Sequence, residues 1–186
     1  MRVDVVHSRR IACIAAVVAL AAVAGCTVRP LYSDGPGLGA GPEQAGMAAE
    51  LAAISIKPVN TRYGQEVRNQ LIFMFGRGAG EPAAPRYSLA LGVTSLRETA
   101  TSRQAADDGS EFEPTAATIT MAASYELTNV SDGSVVARGR RQITSSFDVP
   151  RQAYAEDRAE RDAQNRAARE LAELLRLAIA QDLSRG

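Results

Sequence analysis

Beyond residue 50 the apolar positions of the chain change period several times, and each change marks an element. In Leu51–Val59 (LAAISIKPV), Ile54 and Ile56 share a face, which predicts a short strand; Pro58 confines it to an edge or an end. Residues 62–75 (RYGQEVRNQLIFMF) repeat Tyr63, Val67, Leu71 and Met74/Phe75 at three and four positions, the spacing of an amphipathic helix. Gly76 is its natural stop. Tyr87–Ser95 alternates strictly, with Tyr87, Leu89, Leu91 and Val93 on one side and Ser88, Ala90, Gly92 and Thr94 on the other. That is a strand with one buried face. Thr115–Thr128 alternates again and turns Ala117, Ile119, Met121, Ala123, Tyr125 and Leu127 inward. Asp132-Gly133 predicts a hairpin turn into a final strand, Val135–Phe147, whose pattern is blurred by Arg138, Arg140 and Arg141. After Pro150, a stripe of Ala159, Ala163, Ala167, Leu171, Leu174/Leu175 and Ala178 runs at helical spacing through a helix of about 30 residues. Its outer face carries opposite charges four apart: Asp157/Arg161, Arg158/Asp162, Asp162/Arg166 and Arg166/Glu170.

The order β-α-β-β-β-α leaves one sheet face for helices to cover. It predicts an α+β fold, a two-layer sandwich with two helices on one face of a four-stranded mixed sheet. The first strand–helix–strand unit fits a parallel crossover. Residues 49–186 form this single domain. Two stretches predict loops: the glycine-rich GRGAGEPAAP from Gly76, and the aperiodic polar run 97–114 (RETATSRQAADDGSEFEP). Residues 33–48 hold five glycines and two prolines in 16 positions and are expected to lack regular structure.

The first 25 residues follow another logic. Arg2, His7, Arg9 and Arg10 precede Ile11–Ala24, an uncharged run of 14 residues. At ~1.5 Å per residue that run reaches about 21 Å, short of the ~30 Å hydrocarbon core, which favours an export signal (residues 1–25) over a membrane span. The run ends Val23-Ala24-Gly25-Cys26, which resembles the bacterial lipobox. A thiol is needed there because the sulfur takes a diacylglyceryl group, after which the new amine at the cut can be acylated. Cys26 is therefore the expected lipid attachment site, and residues 26–48 the lipidated N-terminus and flexible tether. Two or three acyl chains, at about 0.8 kcal/mol per buried CH₂, anchor firmly. Thr27 is not the aspartate that commonly retains lipoproteins at the inner membrane, so the expected location is the periplasmic face of the outer membrane.

Composition narrows the chemistry. The chain holds 21 basic and 21 acidic residues; without residues 1–25, 18 and 20 remain, so no global field points to nucleic acid. Its two cysteines are Cys13 and Cys26, and its single histidine is His7. After Cys26 there is neither His nor Cys, which excludes Ser-His and Cys-His nucleophilic catalysis and the usual zinc sites. Asp107, Asp108, Glu111 and Glu113 lie in the polar run, where carboxylates are ordinarily solvated. GRGAG at 76–80 lacks the strand-before, helix-after setting of a phosphate cradle. Neither an enzyme nor a cofactor is expected. Arg77, Arg86, Arg97 and Arg103 sit in or beside loops and read either as phosphate-binding groups or as ordinary surface charge; arginines on the last strand also protect an edge.

Cys26 followed closely by RPLY, the element order, and the ending SSFDVPRQAYAEDRAERDAQNRAARELAELLRLAI together resemble the LPS-assembly lipoproteins of the LptE type, especially the alphaproteobacterial ones. The resemblance spans essentially the whole chain after the signal. It implies a non-catalytic partner of an outer-membrane β-barrel of the LptD type, a plug that assists barrel assembly and passage of lipopolysaccharide to the outer leaflet. It carries lipid attachment onto Cys26. Contact of the barrel or lipopolysaccharide with Arg97 and Arg103 is an expectation of this reading. The alternative is an auxiliary lipoprotein of an ABC-type envelope lipid-trafficking system.

Overall fold

The computed structural model describes residues 42–99 and 115–185. Its elements are α1 (Pro42–Ala52), β1 (Ile54–Ile56), α2 (Arg62–Gly76), β2 (Tyr87–Thr99), β3 (Ala116–Asn129), β4 (Val135–Asp148) and α3 (Ala153–Leu183). The strands form one sheet in the order β1-β2-β3-β4, with β1 parallel to β2 and the other pairs antiparallel. The expected α+β sandwich with a four-stranded mixed sheet is what forms, with one helix more than the periodicity indicated.

That helix is α1. Its first seven residues fall in the stretch 33–48, where no regular structure was expected. Pro42 stands where a helix start needs no N–H, and Ala-rich sequence follows. Met47 and Leu51, four apart, are half-buried and buried in the core. The helix also takes over Leu51 and Ala52, so the strand read across 51–59 shrinks to Ile54–Ile56. Two side chains finish that short edge: Glu81 Oε1 accepts from the Ile56 N–H at 2.8 Å, and Arg68 Nε donates to the Ile56 carbonyl at 3.0 Å. Arg68 and Glu81 pair with each other at 2.6 Å. Together they occupy the groups that an incoming strand would use.

Thr61 caps α2, its hydroxyl accepting from the Gly64 N–H at 3.2 Å. At the other end Arg77, rather than the expected Gly76, takes the left-handed conformation (φ 50°) and donates its N–H to the Phe73 carbonyl. Val67, Leu71 and Phe75 are buried as the spacing predicts. In β3 all six inward residues foreseen by alternation are buried. The β3–β4 turn holds Gly133 at φ 71°, with Asn129 and Asp132 side chains each accepting from a backbone N–H two residues on. The backbone hydrogen bond from Ser134, above all, holds the Asp132 carboxyl below its ordinary pKa. β2 continues past Ser95 to Thr99, so residues 97–99 of the polar run belong to the sheet; 100–114 lie outside the described residues.

The helices cover the sheet face carrying Leu89, Ile119, Met121, Tyr125, Leu127 and Phe147. α3 approaches through Ala163, Ala167, Ala168 and Ala172, all fully buried, and follows with Leu171, Leu175 and Ile179. Alanines let the helix lie close to the strands; the leucines fill the wider space where α2 joins. Of the charge pairs expected along α3, the structure joins Asp162 and Arg166. The opposite sheet face is mostly polar, with rows such as Thr94–Ala122–Gln142 and Glu98–Thr118–Ser146 running across the strands, and it also carries Glu126, Arg138, Arg140 and the exposed Leu96.

Candidate functional site

Arg97 belongs to the odd-numbered series of β2, so its side chain rises on the helix-covered face of the sheet. Nη2 donates to Glu156 Oε1 at 2.5 Å and Nη1 to Glu160 Oε2 at 2.8 Å, both on α3. The guanidinium carbon sits 5.5 Å from the centroid of the Phe147 ring. The hydrogen bond to Glu156, first among the causes, raises the Arg97 pKa further above its already high ordinary value. A polar chain continues from there. Glu160 accepts from Gln164 at 3.1 Å, and Arg62, the first residue of α2, donates to Gln164 at 2.8 Å and Asn165 at 2.9 Å. Arg97 therefore ties the far end of the sheet to the start of α3.

The other arginines singled out from the sequence are dispersed. Arg86 pairs with Glu50 at 2.5 Å and lies 6.0 Å from the Tyr87 ring centroid. Arg138 meets Glu126 at 3.4 Å on the open sheet face, and Arg141 donates to the Arg140 carbonyl at 2.8 Å along the outer edge of β4. Arg103, Asp107, Asp108, Glu111, Glu113 and Cys26 lie outside the described residues. A cavity of about 450 Å³ opens between the end of β4 and the start of α3, lined in part by Phe147, Pro150, Ala159 and Asp162. Arg166 spans its wall, bonded to Asp162 and to the Ser146 carbonyl.

One half-buried polar contact ties α3 to the sheet at the opposite end. The Tyr125 hydroxyl donates to Asp182 Oδ2 at 2.6 Å, and burial, followed by that carboxylate, pushes its pKa up to about 12. Among the described residues no group of His, Cys, Asp and Glu could hold a metal ion, and no helix is long and apolar enough to cross a membrane. Sequence reasoning missed Glu156 and Glu160, because the charge pairs it counted lie along the solvent face of α3. Their signal was present: two glutamates four apart turn one face toward a strand that carries an arginine at an inward position.

The described residues thus form a four-stranded mixed sheet with helices on one face and several arginines held in ion pairs. The LptE, lipopolysaccharide-assembly, family model matches residues 51–179, from the end of α1 through most of α3. The chain belongs to that family of lipopolysaccharide-assembly lipoproteins. The fold is similar to that of a predicted lipoprotein of Caulobacter crescentus CB15 (24% identity, TM-score 0.59, covering 75% of this chain and 97% of that one). It is also similar to the rare lipoprotein B of Shewanella oneidensis (13% identity, TM-score 0.51, covering 71% and 95%). No curated protein matches the sequence.

Proposed function

We propose that this chain is the lipid-anchored, non-catalytic partner of the β-barrel that delivers lipopolysaccharide to the outer leaflet, acting as its plug and assembly factor. The family match over 51–179 carries this reading. The lipobox-like sequence before Cys26 supports an anchor of diacylglycerol plus an N-acyl chain on that residue, at the periplasmic face of the outer membrane. A small domain whose open sheet face carries mainly polar and charged side chains suits a wide polar barrel lumen. Contact of the barrel or of lipopolysaccharide with Arg97 has to compete with Glu156 and Glu160, which already share its guanidinium.

Crosslinking in intact membranes followed by purification of the lipoprotein tests the reading. Stoichiometric recovery of a large outer-membrane barrel is expected. Recovery of an ABC permease or its substrate-binding protein instead would transfer the chain to the alternative, lipid-trafficking role. Cys26→Ala should remove the lipid mass and release the protein from the membrane. Unchanged lipopolysaccharide binding in a chain carrying both Arg97→Ala and Arg103→Ala would end the proposed contact at those residues.

A further inference from the structure

The far end of the molecule is held differently from the rest. β1 pairs only with Tyr87–Leu89, and α2 begins where Arg62 meets Gln164 and Asn165 of α3. Residues 153–163 of α3 thus run past the start of α2 and lie over the last residues of β2 and β4 and the first of β3. Their apolar anchorage is small: Ala163 is buried and Ala159 half-buried. The N-cap residue, Gln152, makes no side-chain capping bond, which leaves this helix start without its usual local support. The cavity of about 450 Å³ opens along the same turns. Against these deficits, among the described residues, stand two polar ties: Arg97 shared by Glu156 and Glu160 over the Phe147 ring, and, at the inner end of the stretch, Asp162 joined through Arg166 to the Ser146 carbonyl.

We propose that the first three turns of α3 are a separately opening strap over the distal end of the sheet, latched by Arg97 through Glu156 and Glu160. Opening frees the Arg97 guanidinium and both carboxylates and bares Phe147 and its neighbours Ala117 and Ile119, while the leucine-anchored half of α3 stays docked. Because the latch residues are about a third exposed, mobile ions compete with it. The inference is independent of the barrel partner.

Hydrogen exchange read by mass spectrometry on the full lipidated chain in detergent tests it. Arg97→Ala, and separately Glu156→Gln with Glu160→Gln, should speed exchange of amides in 155–163 about tenfold while 170–183 changes less than twofold. In the unaltered protein 0.5 M sodium chloride should move the same amides in the same direction, and in the variants it should add nothing. Equal acceleration along the whole of α3 would show a single cooperative helix and overturn the strap. No acceleration in 155–163 would overturn the latch. Should Arg97→Ala fail to fold, the glutamine pair decides alone, since it leaves Arg97 and its ring contact in place.

Discussion

Gly139→Ala adds one methyl group at the tighter of the two glycine positions within the described strands. Gly139 faces Tyr125 directly across β3 and β4, and a Cβ built on it would lie 2.7 Å from ring atoms Cε1 and Cζ and from the hydroxyl. Carbon contacts are comfortable at ~3.5–4.0 Å, so the ring has to retreat by close to an ångström. It has little freedom to do so, being 4% exposed and bonded at its tip to Asp182 at 2.6 Å. Overpacking of this kind costs ~1–3 kcal/mol. Weakening a hydrogen bond to a charged group costs ~1.5–3 kcal/mol, reduced here because Asp182 is partly solvated. Replacing glycine within a strand returns ~0.5–1 kcal/mol. The net expectation is a loss of about 2–3 kcal/mol, or roughly 5–10 °C in Tm. Urea unfolding followed by circular dichroism measures it. If the damage passes through the ring, Gly139→Ala should cost little in a Tyr125→Ala background. A loss below ~0.5 kcal/mol in the parent, or an equal loss in both backgrounds, would refute the reasoning.

Other expectations follow from the same contacts. Tyr125 holds its proton more tightly folded (about 12) than unfolded (10.0), so its share of stability is intact below pH ~10 and fades as pH rises through ~12. The loss approaches ~2–3 kcal/mol, and Tyr125→Phe should flatten that part of the denaturation-versus-pH curve. Glu81→Ala leaves the Ile56 N–H without its acceptor and takes the carboxylate from Arg68, which keeps its bond to the Ile56 carbonyl; a stability loss of ~1–2 kcal/mol is expected, with faster aggregation by light scattering as the β1 edge is partly uncovered. Ala167→Leu places three more carbons where the helix lies against the sheet with no exposed surface, and thermal unfolding should show a loss of ~1–3 kcal/mol or more.

Legibility tracked the strength of the local pattern. β3 has a partner strand on each side and one face under helices, so its alternation is uninterrupted and its inward residues were read without error. β4 is an edge strand, and its pattern looked impaired because Gly139 stands opposite Tyr125 and Arg141 turns along the edge. The aromatic ring occupies the room that the missing side chain leaves, and a single strand cannot show that. α1 was missed because glycines and prolines dominate the residues before it; its helix draws support from burying Met47 and Leu51 against distant elements. At Arg97 the residue was noticed and its surroundings were not. The polar run from 97 looked like loop, yet its first three residues extend β2, and strand parity then turns the guanidinium toward α3.

The sequence by itself determined the kinds of element and their order from β1 onward, the two-layer outcome and the lack of His and Cys after Cys26. All of these rest on composition or on periods of 2 and 3.6 residues, which neighbouring positions carry. Only the tertiary structure decided which arginine meets which carboxylate, how the β1 edge is finished, and how closely Tyr125 and Gly139 approach. The long-range contacts among these join residues 12 to 63 positions apart, and a side chain's partner across such a separation is set by register and packing, which local pattern does not encode.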